Sequence, residues 1–168
     1  MKPLQYITVL LAAVCILASC EKKDYPTGLP EYEHHYYAVW VPNNNTLVSV
    51  TKNQAALVKF PVQFYSTATR SYDAVAKYAI VPDATAPAVA GVDFNIVDKN
   101  GTVIPSTDGT YSIVFKQAVQ ATDTVYIKLL NNPASGTRKM EVQLKENKTA
   151  EFYVDVFSTA FRRPVEIK

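Results

Sequence analysis

The sequence predicts an all-β domain folded as an antiparallel sandwich of about seven to nine strands. Eleven tyrosines and seven phenylalanines stand against only five glycines, and such residues fit a pleated, half-buried surface. Apolar side chains recur at every second position in several short segments, with turn-forming clusters between them. No segment shows a convincing 3.6-residue helical period, so the apolar face of one sheet must be covered by a second sheet.

At the N-terminus Lys2 precedes an uncharged apolar run over 6–17, and Glu21-Lys22-Lys23-Asp24 follows at once. A membrane-spanning helix needs ~20 apolar residues, so 1–19 reads as an export signal and not as a permanent span. Leu17-Ala18-Ser19-Cys20 resembles the lipobox of bacterial lipoproteins. That resemblance implies cleavage before Cys20 and lipid attachment to its sulfur, with the membrane as a partner through the lipid. Cys15 leaves with the signal, so no internal disulfide is expected. Each buried acyl methylene contributes about 0.8 kcal/mol, which makes two or three chains a nearly irreversible anchor. The expected location is the cell envelope, as an outer-membrane lipoprotein; the mixed charge of 21–24 leaves surface display open. Residues 20–33, with Pro26, Gly28 and Pro30, have the composition of a tether. One domain is expected over 34–168.

The strands follow in order. Over 36–41, Tyr36, Ala38 and Trp40 share one face while Tyr37, Val39 and Val41 share the other. A short segment at 47–50 follows the turn cluster Pro42-Asn43-Asn44-Asn45. Val58, Phe60, Val62 and Phe64 then alternate with Lys59 and Gln63, and Pro61 predicts an edge strand or a bulge there because it cannot donate to a ladder. Further strands are expected at 74–81, 92–97, 111–115, 124–129, 140–144, 151–156 and 165–167. The alanine-rich 84–90 reads as a loop because prolines bracket and interrupt it. Asn100-Gly101 and Asp108-Gly109 suit tight turns that need positive φ.

A formal net charge of +2, with basic pairs scattered along the chain, offers no footprint for nucleic acid. No metalloprotease, nucleophile-elbow, dinucleotide or phosphate-loop motif is present, and no cofactor is expected. His34 and His35 are adjacent, so in a strand they point to opposite faces and cannot chelate one ion together. Carboxylates spaced for glycoside hydrolysis cannot be inferred from positions along a sandwich. The candidate ligand contacts are therefore aromatic: Trp40 and Tyr37 on the first strand, and Tyr65, Tyr126 and Tyr153 at positions opposite apolar faces. Trp40 divides between core packing and ligand contact.

The later segments Ala90-Gly91-Val92-Asp93-Phe94, Tyr111-Ser112-Ile113-Val114-Phe115 and Asp123-Thr124-Val125-Tyr126-Ile127-Lys128-Leu129 resemble the G-x-D-Y/F … F … I-x-I-x-L progression of Calx-beta-like, immunoglobulin-like sandwiches. Together with the lipobox, the chain is similar to small surface lipoproteins of Bacteroidetes found near polysaccharide-utilisation or adhesion systems. The resemblance implies a non-catalytic binding or adhesion lipoprotein with a glycan or protein partner. Its rivals are a structural envelope subunit docking by edge-strand pairing and a small hydrolase. Calcium-binding members cluster their acids at one end of the sandwich, which makes Asp93, Asp98 and Asp123 the metal candidates here. Their dispersal along the chain favours turn roles instead.

Overall fold

The computed structural model describes residues 34–66, 70–117, 119–156 and 159–168; the expected export signal, Cys20 and the expected tether lie outside them. Among the described residues there are eleven strands: β1 (His35–Trp40), β2 (Val48–Val50), β3 (Val58–Tyr65), β4 (Ala74–Pro82), β5 (Phe94–Val97), β6 (Tyr111–Phe115), β7 (Gln120–Leu129), β8 (Arg138–Lys145), β9 (Asn147–Lys148), β10 (Tyr153–Val156) and β11 (Arg162–Ile167). A six-stranded sheet runs β5-β7-β3-β1-β10-β9 and a five-stranded sheet runs β2-β11-β8-β4-β6. This is an immunoglobulin-like β-sandwich. No helix among the described residues is long and apolar enough to cross a membrane.

The alternation in the sequence fixes which side chains face inward. Tyr36, Ala38 and Trp40 of β1 are buried, as are Val58, Phe60, Val62 and Phe64 of β3. Opposite them, Ala76, Ile113, Phe115, Met140, Val142, Leu144 and Val165 come from the five-stranded sheet and join the same core. Phe64 stacks on Phe115 across the layers at 4.9 Å. Trp40 is 0% exposed, meets Phe60 edge-on and donates from Nε1 to the Phe161 carbonyl at 2.9 Å.

Three features depart from the expectation. The strand count is higher because every one of the ten expected segments forms a strand and the two-residue β9 finishes one sheet edge. Two of the pairings, β1 with β10 and β11 with β2, are parallel. Finally, Pro61 sits in a central strand, with β1 on one side and β7 on the other. The ladder tolerates it because β1 ends at Trp40, beside the position where the proline lacks a donor. The Pro61 carbonyl still accepts from the Val41 amide at 2.9 Å, and the cis Val41–Pro42 bond then carries the chain onward.

The turns follow their dipeptides. Asp108 and Gly109 have φ of 50° and 74°, and Thr107 and Thr110 exchange both backbone hydrogen bonds, as a two-residue hairpin with positive φ at both central positions requires. The 84–90 segment is a loop held to β8, with the Ala88 amide donating to the Lys139 carbonyl at 2.9 Å.

At its start the Asp83 carboxylate accepts from the Thr85 hydroxyl at 2.7 Å, the Thr85 amide at 2.9 Å and the Ala86 amide at 3.0 Å. These bonds, that from the hydroxyl foremost, hold its pKa down to about 2. A depressed carboxyl stabilises the fold above its ordinary value of about 3.9, and that contribution is lost as pH falls toward the folded value. Carboxyl-carbon NMR should place the Asp83 midpoint near 2. In urea titrations, Asp83→Asn should flatten the acid-side loss of stability between about pH 4 and pH 2; a midpoint at the ordinary value would contradict this.

Two arginines lie inside the sandwich. Arg163 is on the buried side of β11, where its guanidinium donates to the Pro42 carbonyl and the Asn44 side-chain oxygen, fixing the turn after β1. Arg70 donates to Ser66 Oγ at 2.8 Å and to the Phe115 carbonyl at 3.1 Å, with its guanidinium carbon 4.6 Å from the Phe64 ring centre and 5.2 Å from that of Tyr36.

Candidate functional site

The outward positions of the six-stranded sheet carry polar and aromatic side chains in place of the core's aliphatic ones. Register sets them in rows. Gln120, Tyr65, Tyr37 and Asp155 are successive cross-strand partners on β7, β3, β1 and β10, and the next row holds His35, Tyr153 and Lys148. His35 stacks on Tyr153 at 4.5 Å and 25° and on Tyr37 at 5.1 Å and 28°. Its Nε2 is hydrogen-bonded to Asp155 Oδ2 at 3.0 Å, which holds the imidazole flat between the two tyrosines. Lys148 Nζ lies 5.7 Å from the centre of the Tyr153 ring. Tyr65 is 59% exposed and extends the aromatic surface toward β7.

Charge rims this surface. The hydrogen-bonded Glu146 carboxylate, burial and Asp155 together push the Tyr153 phenol up, so Tyr153 stays a neutral donor under any physiological condition. Flat rings with amide, carboxylate and ammonium groups at their margin can stack on one apolar face and hydrogen-bond around it.

Tyr37, Tyr65 and Tyr153 therefore come together on one face. Tyr126 shares that face but pairs with Lys59 and Val97 beyond the cluster. Trp40 belongs to the core, so it is withdrawn as a ligand contact: its position in β1 points inward by the same alternation that turns Tyr37 outward. Cys20 lies outside the described residues.

The three acids do not gather into a metal site, and no group of three or more metal-ligating side chains exists among the described residues. Asp93 is buried and ties two loops together, accepting from the Val89 amide at 2.8 Å and Asn132 Nδ2 at 2.7 Å. Asp98 closes its own turn by accepting from the Asn100 and Thr102 amides, and these bonds, that from Thr102 foremost, lower its pKa. Asp123 is exposed on β7 and accepts from the Thr124 amide.

His34 and His35 do point to opposite sides of the chain. His34 Nδ1 lies 2.6 Å from the Tyr72 hydroxyl, which is itself 2.6 Å from that of Tyr36. Tyr72 is thereby drawn against Phe152 in a parallel stack at 5.6 Å. Sequence reasoning missed His35, Lys148 and Asp155 as members of the aromatic face. The His35–Tyr37 alternation was the available signal; the parallel partner β10, more than a hundred residues away, was not.

The fold and this face together define a class: an immunoglobulin-like sandwich that presents a polar-aromatic sheet surface. No family model matches the chain, and no curated protein matches it. Among solved structures it is similar to CBD12 from CALX1.2, at 16% identity and a TM-score of 0.46 over 78% of this chain and 44% of that one. It is also similar to a type III cohesin module from the cellulosomal ScaE cell-surface anchoring scaffoldin of Ruminococcus flavefaciens, at 11% identity and a TM-score of 0.41 over 87% of this chain and 95% of that one. A third is BslA, a bacterial hydrophobin, at 12% identity and a TM-score of 0.28 over 79% of this chain and 90% of that one. The chain spans less than half the length of the first of these, and likenesses this weak assign no activity.

Proposed function

We propose that this chain is a non-catalytic binding lipoprotein of the cell envelope, anchored through lipid on Cys20, and that the outer face of its six-stranded sheet takes a glycan. The supporting observation is the ring surface of Tyr37, His35 and Tyr153, continued by Tyr65. Pyranose rings offer an apolar C–H face to aromatic planes and hydroxyls to a polar rim, and Asp155, Gln63, Gln120 and Lys148 supply that rim. The His35–Asp155 pair serves here to orient a stacking ring: its imidazole is covered by two tyrosines on an open sheet face.

A glycan array probed with the full-length protein in detergent tests this reading. At least one polysaccharide class should bind. Tyr65→Ala should weaken that binding by about tenfold, the equivalent of about 1.4 kcal/mol, with stability within about 0.5 kcal/mol of wild type because the ring is exposed. Full affinity in the alanine variant would remove the face from the account.

A further inference from the structure

The seam between β6 and β7 presents a second surface, independent of the tyrosine face. β6 ends the five-stranded sheet. In an antiparallel ladder alternate residues direct their backbone groups to opposite sides. Val75 turns toward the β8 side, where its carbonyl accepts from Asn147 Nδ2 at 2.7 Å. Ala76 and Tyr78 therefore turn toward their partners Ile113 and Tyr111, and Ser112 and Val114 offer their N–H and C=O groups outward.

The other edges are short or covered. β2 has three residues and β9 two, while β5 is backed by the Ile104 amide bonding to the Ile96 carbonyl at 2.9 Å. β6 has five residues without charge or proline, and Val114 is 48% exposed. Sheet edges are ordinarily guarded by lysine, proline or bulges, and β6 carries none of these devices along its length.

Beside this edge runs a cleft of about 420 Å³ lined by Tyr78, Ile104, Ser112, Val114 and Asp123, with Lys99 at its turn end. Tyr78 is 3% exposed and lines this cleft; burial foremost, with Tyr111 and Asp123 nearby, pushes its phenol pKa up. Asp123 pairs in register with buried Val62, so it stands on the inner side of β7, facing the cleft. One of its oxygens accepts from Thr124; a carboxylate has further lone pairs to give.

We infer that the β6 edge accepts an extended strand of another protein, with a lysine or arginine side chain turned inward to Asp123 and the Tyr78 hydroxyl. Backbone pairing with Ser112 and Val114 supplies the affinity and the inward cation supplies the selectivity. A second copy of β6 fits less well, because it would set Ile113 and Phe115 against the carboxylate.

The test uses the full-length protein in detergent and two synthetic peptides, Ser-Thr-Val-Lys-Val-Thr-Ser and its counterpart with Glu for Lys, both blocked at their ends. The lysine peptide should bind at least about tenfold more tightly by calorimetry, with slowed hydrogen exchange at the Ser112 and Val114 amides. Asp123→Asn should bring the two peptides within about twofold of each other, and Tyr78→Phe should weaken the lysine peptide alone. Val114→Pro removes an outward donor and no ladder bond, so it should abolish binding of both. Tyr65→Ala should leave peptide binding unchanged, which separates this surface from the glycan face. Equal affinity for both peptides, no binding up to millimolar concentration, protection at another edge, or self-association of the protein through β6 would each overturn the inference.

Discussion

Trp40→Ala is expected to lower stability by about 4–5 kcal/mol, the upper range for deleting a large buried aromatic side chain. The indole is completely buried, touches Phe60 and satisfies the Phe161 carbonyl, so its loss leaves both a cavity and an orphaned acceptor. Since domains of this kind are stable by about 5–15 kcal/mol, the variant should be close to unfolding at 37 °C. Urea denaturation followed by circular dichroism should show the midpoint falling steeply with little change in slope. Trp40→Phe keeps a ring but removes the N–H, and should cost about 1–3 kcal/mol. If Trp40→Ala changed ligand binding while leaving stability intact, the core assignment would be wrong.

The second large effect belongs to Arg70. At 7% exposure its guanidinium bonds Ser66 and Phe115 and lies over the rings of Phe64, Tyr36 and Tyr72, so one side chain joins both sheets and the 66–72 connection. Hydrogen bonds from a charged group and a desolvated cation–π contact together amount to about 3–4 kcal/mol. Arg70→Ala should lose this much in urea titrations. Arg70→Lys should recover less than half, because an ammonium lacks the planar fork that stacks and bonds at once. A loss below about 0.5 kcal/mol, typical of an exposed position, would show the guanidinium to be in solvent.

These residues also show what the sequence disclosed. Alternation was decisive where it was clean: Val58, Phe60, Val62 and Phe64 face inward, Lys59 and Gln63 outward, and the same rule separates Trp40 from Tyr37. Asp108-Gly109 announced its hairpin because few residues accept positive φ twice in succession. Pro61 misled because a proline's cost depends on whether a partner strand stands beside its missing donor, and β1 stops at that point. Arg70 and Arg163 gave no sign of burial, since their side chains become core only through cross-sheet contacts with Phe64, Phe115 and Pro42. The aromatic face was half visible: Tyr65 and Tyr153 were recognisable as outward and Tyr37 as lying opposite Trp40, but their meeting around His35 depends on the parallel pairing of β1 with β10, which no local pattern encodes.

The ring surface on the six-stranded sheet is the centre of this account, and NMR shift mapping on the full-length protein tests it directly. With a glycan taken from the array added in excess, perturbed signals should concentrate on His35, Tyr37, Tyr65 and Tyr153, with Asp155 and Gln120 at the margin. Perturbations confined to the loops between Pro82 and Phe94, or to any other part of the sandwich, would contradict it.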